Sequence, residues 1–379
     1  MPALATDRRD FLRSTAALSA GLVLPGCATL ATRATPTLAC TPLPRVRVEP
    51  GRVIRTVAGL RPYRASGFVV RAEALGDQRL VHNYGHGGAG ITLSWGCSKL
   101  ATDIGLPGHR GRVAVIGAGV MGLTTAKLVQ EAGFPVTIYA KALPPATTSN
   151  IAGGQISPFG HFRDDMVTPE WRRQFMAAMD YSWRRFQIMV GEDYGIRWLP
   201  TFEETDTIGP GPLDGYRPNT RRVPIKDHPF PIDNIAAFET MYVETGRFLR
   251  QTMRDIQTAG GKIAVRDFRT PQEFAALPEQ LLFNCTGLGS RDLFGTASFG
   301  RFAGSSPCCC PSPRCNTPSV AMAFTCSRAP TASFSAARSN ATYGRRCPSR
   351  RRSRASSPGI RRCSTDFAAL LDPPVTGSI

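Results

Sequence analysis

The apolar positions fall into runs whose period changes along the chain. Residues 67–73 (GFVVRAE) and 78–84 (QRLVHNY) are short alternating stretches and predict two strands. Arg112–Ile116 is a compact apolar strand; a helical stretch follows to Glu131 and then, after Gly133, a second strand over Pro135–Ala140. Residues 169–190 open on Pro-Glu and keep an apolar stripe through Trp171, Phe175, Met179, Trp183, Phe186 and Val190, which predicts a long amphipathic helix. The Pro-rich stretch 206–236 predicts loops and short strands. A second helix is predicted at 246–259, closed by Gly260-Gly261, then a strand at 262–268 and another at 281–287 (LLFNCTG). Beyond residue 295 no period of 2 or 3.6 is sustained.

The stretch from Arg112 to Ala140 reads strand, Gly-rich turn, helix, strand. Its turn is Gly117-Ala118-Gly119-Val120-Met121-Gly122. Gly117 allows the tight turn, Gly119 lets backbone amides approach a pyrophosphate, and Gly122 lets helix and strand pack closely. A dinucleotide is the ligand this unit predicts. An acid normally ends the second strand and holds the adenosine ribose, whereas here the position is Lys141. Downstream, Thr147, Thr148 and Ser149 offer three hydroxyls, serving either a phosphate or a plain capping turn. Gly153-Gly154 lets the chain pass close to a planar ligand. Cys285, in an apolar strand, reads as a core thiol.

The segment 58–101 has four Gly in six positions, Gly85-His86-Gly87-Gly88-Ala89-Gly90, between a strand and a helix, a pattern suited to an anion-cradling nest. Arg61 and Arg64 lie on a short Pro-containing turn and are candidates to clamp a small carboxylate, the alternative being solvated or structural ion pairs. His82 and His86, with no Cys, Asp or Glu at ligand spacing, do not read as a zinc site, and no metal is expected.

GLRPYR followed by HNYGHGGAGITLSWG, together with GAGVMGL and YAKALPPATTSNIAGG, resembles the D-amino-acid oxidase family of flavoproteins over roughly residues 45–300. The resemblance implies an α/β fold: an FAD-binding Rossmann-type domain plus a mixed-sheet, α+β substrate domain. It implies FAD as cofactor, with Gly117, Gly119 and Gly122 at its ADP part and Thr147, Thr148 and Ser149 at the pyrophosphate. Gly153 and Gly154 would run along the flavin, and Gly87, Gly88, Ala89, Gly90, Ile91 and Thr92 would sit near the ring's carbonyl end. Arg64 matches the residue that pairs with the substrate carboxylate. The implied reaction is oxidative deamination of a D-amino acid, with O2 as the second substrate. The alternatives are oxidation of glycine, secondary amines or acidic D-amino acids. In most of the family the RPxR and HNYGHGG segments come last, so their place before GxGxxG implies a circularly permuted order, joined by a linker over 102–112. The family's active-site Tyr has no counterpart identifiable among Tyr181, Tyr194, Tyr216 and Tyr242.

Charge divides the chain unevenly. Of a net +18, residues from Arg301 onward carry twelve Arg against Asp366 and Asp372, so over half of the positive charge sits in the last fifth. Seven of the eleven cysteines lie there too. The high charge is therefore a property of the tail and is not read as nucleic-acid binding, although a secreted basic binding protein is the non-enzymatic alternative. Segments such as SSPCCCPSPRC and RRCPSRRRSRASSPGIRRC suit either a disordered basic arm or out-of-frame translation of a GC-rich gene, the second explaining the CCC run better. At the other end, DRRDFLR and the apolar run before Gly26-Cys27 have the shape of a twin-arginine export signal, with Cys27 as a possible lipid attachment point. That places the protein in the periplasm or on the outer face of a bacterial membrane, or in the cytoplasm if the signal goes unused. The expected organisation is signal 1–30, tether 31–44, permuted segment 45–110, Rossmann unit 111–165, substrate domain 166–262, return to the FAD domain 263–295, and tail 296–379. No transmembrane helix is expected.

Overall fold

A computed structural model describes residues 50–205, 214–228, 230, 232–295, 299–309, 324–325 and 339–340. All lie in the first of two compact units, residues 1–343. The expected export signal, Cys27, the tether and most of the tail lie outside the described residues. In chain order the strands are β1 (Val53–Arg64), β2 (Val69–Leu75), β3 (Gln78–Tyr84), β4 (Val113–Ile116), β5 (Val136–Ala140), β6 (Ile196–Glu204), β7 (Arg221–Val223), β8 (Ile235–Val243), β9 (Lys262–Val265), β10 (Leu281–Asn284), β11 (Phe299–Cys309), β12 (Phe324–Thr325) and β13 (Ser339–Asn340). The helices are α1 (Gly90–Gly105), α2 (Val120–Glu131), α3 (Pro169–Ile188), α4 (Thr245–Thr258), α5 (Gln272–Ala275) and α6 (Gly289–Phe294).

The central sheet has the order β2-β3-β10-β4-β5-β9. All its pairings are parallel except β2 with β3. The three strands expected at Arg112–Ile116, Pro135–Ala140 and Leu281–Cys285 are thus neighbours in one parallel sheet. Their four-residue cores are fully buried at β4 and β10, as strands covered on both faces must be. The early segment enters this same sheet: β3 lies beside β10, and α1 packs against α2 and α3.

Helix α3 starts where its sequence says. Thr168 accepts a hydrogen bond from the Trp171 amide at 3.1 Å, with Pro169 in the first turn. Its buried stripe, Phe175, Ala178, Met179, Trp183 and Phe186, faces the core. A Cβ on Gly96 of α1 would stand 1.8 Å from the Ala178 carbonyl oxygen, so the two helices meet backbone to backbone there.

A second sheet has the order β13-β12-β6-β8-β7, with β6, β8 and β7 antiparallel. It joins the first region through the Gln155–Tyr242 bridge and the bond from the Ile156 amide to the Met241 carbonyl, 2.9 Å.

Two expectations need correction. The RPYR stretch is not a turn: it closes the twelve-residue strand β1, which pairs antiparallel with β11 in a two-stranded ribbon. Pro62, lacking an N–H, is tolerated because the ribbon leaves one side of β1 outside any ladder. Residues 299–309, assigned above to a tail without periodicity, are the partner strand β11, paired from Arg64–Phe299 to Val53–Cys309 with one register shift between Val53 and Arg55.

Candidate functional site

Strands β3, β10, β4 and β5 run parallel, so their carboxyl ends share one edge of the sheet. Two Gly-rich connections leave that edge: Gly85–Ala89 into α1, and Gly117–Gly119 into α2. Strand β10 lies between them, which sets the turns two strand spacings apart, about 10 Å. Neither helix is capped by the side chain of its own N-cap residue, Ala89 or Gly119. Their positive ends therefore face the same edge, an arrangement that favours an anion.

The glycines have separate jobs. Gly117 has φ +115°, and a Cβ there would stand 2.5 Å from the Cys285 carbonyl oxygen. A Cβ at Gly122 would stand 1.9 Å from the Gly117 carbonyl oxygen, so its absence lets the helix close on the strand. At Gly119 the backbone is ordinary (φ −74°, ψ −176°), and an added Cβ would meet only Ser149 Oγ, at 3.2 Å. Gly119 alone of the three would bring an added Cβ against no backbone atom.

Ser149 brings the Thr147–Ser149 turn to the same place, its Oγ accepting the Val120 amide at 3.0 Å. Thr147 Oγ1 donates to Asn150 Oδ1 at 2.8 Å, while Thr148 is exposed. Gly153 is exposed as well. Gly154 is buried, with φ +78°, and its Cβ would stand 2.0 Å from the Val243 carbonyl oxygen. Its lack of a side chain is thus required by β8.

Strand β1 lies across this edge. A Cβ at Gly59 would strike Ile151 Cδ1, so the middle of β1 rests on the turn just after Ser149. Further on, Arg61 Nη1 is 3.4 Å from where a Gly88 Cβ would be, and Arg64 Cδ is 2.3 Å from the same point on Gly85. Arg64 donates from Nε to the Gly67 carbonyl at 3.1 Å, and its guanidinium is 5.8 Å from the Tyr84 ring centre. Burial lowers its pKa; Tyr84 opposes this and the charge of Arg71 adds to it. Its Nη2 also reaches Ser66 Oγ at 3.4 Å, so the half-buried guanidinium is held by its own loop.

Within the Gly85–Thr92 segment, Ala89 and Ile91 are buried in the core and Thr92 Oγ1 exchanges two 3.0 Å contacts with the Ser157 backbone. Side chains there pack, and of the glycines Gly88 is exposed, Gly90 half-buried and Gly87 buried against His161. Behind the loop sit two buried imidazoles. His86 stacks on Phe68 at 5.4 Å, and His161 lies among Phe162, Trp171 and Phe175. A Cβ on Gly87 would stand 2.9 Å from the His161 Cα. Burial drives both imidazoles down to about 3, so they are neutral in the fold.

Other candidates are accounted for structurally. His82 is buried between Asn284 and Glu73, and among the described residues no group of three His, Cys, Asp or Glu is placed to hold a metal. Cys285 is buried, with its thiol pushed up to about 12 by desolvation, which suits a core residue. The Tyr194 and Tyr216 hydroxyls donate to Asp255 and Asp180, each at 2.6 Å, and so fix helices α4 and α3. Among the described residues no helix is long and apolar enough to cross a membrane.

The arrangement fits a dinucleotide at its phosphates: a Gly119 that meets no backbone atom, the Thr147–Ser149 turn, two helix N-termini on one edge, and exposed backbone at Gly88 and at Gly153. Lys141, exposed just past β5, does not offer the acceptor that a ribose takes.

The sequence model of the family described as FAD dependent oxidoreductase matches this chain at residues 27–104 and 112–305. A D-amino-acid oxidase of Streptomyces coelicolor is 46% identical over 60 residues, 16% of this chain and 19% of that protein. The D-aspartate oxidase of Homo sapiens is 29% identical over 195 residues, 48% of this chain and 55% of that protein. Among solved structures, the L-amino acid deaminase from Proteus vulgaris shares 17% identity, with 41% of this chain and 40% of that chain covered at a TM-score of 0.31. The chain thus spans about a fifth to a half of the length of these curated relatives. The family match runs to residue 305, so family-like sequence continues ten residues past the boundary drawn at 295.

Proposed function

Because the chain belongs to the FAD-dependent oxidoreductase family, with FAD as its cofactor, we propose that its lineage oxidises the Cα–N bond of a D-amino acid. Loss of two electrons and two protons gives the imino acid, which water hydrolyses to a 2-oxo acid and ammonia. When bound, FAD would supply the redox chemistry, as the acceptor for the substrate's two electrons and their route to O2, with H2O2 as by-product. The residues named here supply binding and orientation. The Gly119 end of α2 and the Thr147–Ser149 turn hold the phosphates, Gly117 and Gly122 allowing the turn and the close packing behind it, and the Gly87–Thr92 and Gly153 backbone takes the flavin end. Arg64 holds the substrate carboxylate. The amine is bound neutral, so Cα needs no general base.

The observation that carries this reading is the placing of the half-buried Arg64 on the Gly85 turn, at the edge from which both helices start. An acidic D-amino acid is the second reading, supported by the 195-residue likeness to a D-aspartate oxidase. A screen of D-alanine, D-methionine, D-aspartate, glycine and sarcosine for H2O2 release separates the two. Release from glycine or sarcosine alone overturns both.

The permuted order is part of the same proposal. The family match breaks between 104 and 112, on the linker joining α1 to β4. So is the altered reading frame read in the tail from about residue 295, although the family match runs on to residue 305; it would leave this exact chain a poor catalyst. The gene's nucleotides decide that point: a coherent second frame that continues the family pattern is expected. Export by the twin-arginine segment is proposed with it, and cell fractionation tests it.

A further inference from the structure

A seam of buried polar side chains runs between α1 and α2, where apolar packing would ordinarily suffice. Asn83, Ser94, Ser98, Thr124 and Thr125 are all fully buried. Asn83 Nδ2, on β3, donates to Thr125 Oγ1 at 3.1 Å. Thr125 Oγ1 is 2.9 Å from Ser98 Oγ, and Ser98 Oγ is 2.8 Å from Thr124 Oγ1. Thr124 Oγ1 then lies 2.8 Å from the Val120 carbonyl oxygen and 3.2 Å from that of Ser94. The chain of contacts alternates between the two helices and ends near the start of each, at Val120, the first residue of α2, and at Ser94 in the second turn of α1. Hydroxyl contacts have tight distance and angle requirements, whereas apolar faces tolerate sliding and rotation. The seam therefore fixes the register of the two helix N-termini.

We propose that Thr124 and Ser98 are positioning residues for FAD, holding the α1 start at a set distance from the α2 start so that one extended ligand meets both. The inference rests on FAD as the cofactor and is independent of the substrate proposed above. ADP, by contrast, reaches only the α2 start and the 147–149 turn, so its binding does not depend on the seam.

The test is titration of the deflavinated full chain with FAD, by quenching of flavin fluorescence, and with ADP, by calorimetry. Thr124→Val keeps the shape and removes the hydroxyl; Thr124→Ser restores it, and Ser98→Ala cuts the seam from the other helix. Thr124→Val is the mildest cut, because the Ser94 and Val120 carbonyls keep their places in the helices and Ser98 keeps Thr125. Thermal unfolding of the apoprotein is recorded alongside. The expected result is an FAD dissociation constant raised about tenfold or more in Thr124→Val and Ser98→Ala, an ADP constant within about twofold of the parent, and recovery in Thr124→Ser. FAD binding unchanged in both variants overturns the inference, as does an equal loss of FAD and ADP, which marks a purely structural seam. A parent chain that binds ADP and not FAD overturns the cofactor assignment itself, and this inference with it.

Discussion

Replacing Gly119 by alanine separates cofactor approach from packing, because its neighbour Gly122 does the opposite job. At Gly119 the backbone (φ −74°, ψ −176°) is one that any L-residue adopts, and the new methyl meets only Ser149 Oγ at 3.2 Å. Alanine is a poorer N-cap than glycine by about 0.5–1 kcal/mol, and the loss of unfolded-chain freedom returns a similar amount. Net stability should therefore change by less than about 1 kcal/mol. The methyl nonetheless occupies the space through which a phosphate reaches the helix amides, and FAD affinity should fall about 10- to 100-fold. At Gly122 the added Cβ lies 1.9 Å from the Gly117 carbonyl oxygen, a backbone atom with nowhere to go. Helix α2 must retreat by about 1 Å, and overpacking of this kind costs about 1–3 kcal/mol. Thermal unfolding of the apoproteins and FAD titration give both numbers for each variant. If Gly119→Ala binds FAD like the parent, or loses as much stability as Gly122→Ala, the division of labour is wrong.

Arg64→Ala, in a form that turns over, should weaken substrate binding by about 2–5 kcal/mol while FAD content is unchanged; equal loss of both makes Arg64 structural. His86 and His161 titrate near 3 in the fold and near 6.5 when unfolded, so the unfolded chain binds more protons between those values. Stability should fall as pH drops from about 6.5 toward 3, by up to about 1.4 kcal/mol per pH unit for each imidazole, and His86→Phe should flatten the profile of denaturation midpoint against pH. Cys97 and Cys285, both buried with thiols pushed up by desolvation, should stay unlabelled by alkylating reagents at mildly alkaline pH until the chain is unfolded, as peptide mass mapping would show.

The β4–α2–β5 unit was legible because glycine spacing and two apolar runs carry it locally, and α3 because Thr168-Pro169 and its stripe do the same. The 147–149 turn could be read only as one of two alternatives; the Ser149 contact with the Val120 amide brings it to the helix end. Strand β1 was missed since Pro62 and two arginines look like a turn, and its partner β11 is 235 residues further on at the Arg64–Phe299 pair. Strand β8 was hidden by its own burial: with both faces covered it shows no alternation, and Glu239 and Thr240 break its apolar run. The polar seam has no sequence signal at all. Its members are ordinary small polar residues in three separate elements, and only the packing of α1 on α2 brings them together.

The central claim is that this chain builds a flavin site from two Gly-rich turns on one sheet edge. Its most direct measurement is the near-ultraviolet and visible absorbance of the purified full-length protein, followed by heat release and identification of the bound flavin. The account predicts a yellow protein that releases FAD, or, where the cofactor is lost in purification, an apoprotein that regains flavin absorbance and quenches flavin fluorescence when FAD is added. A folded, colourless protein that takes up no FAD would contradict it.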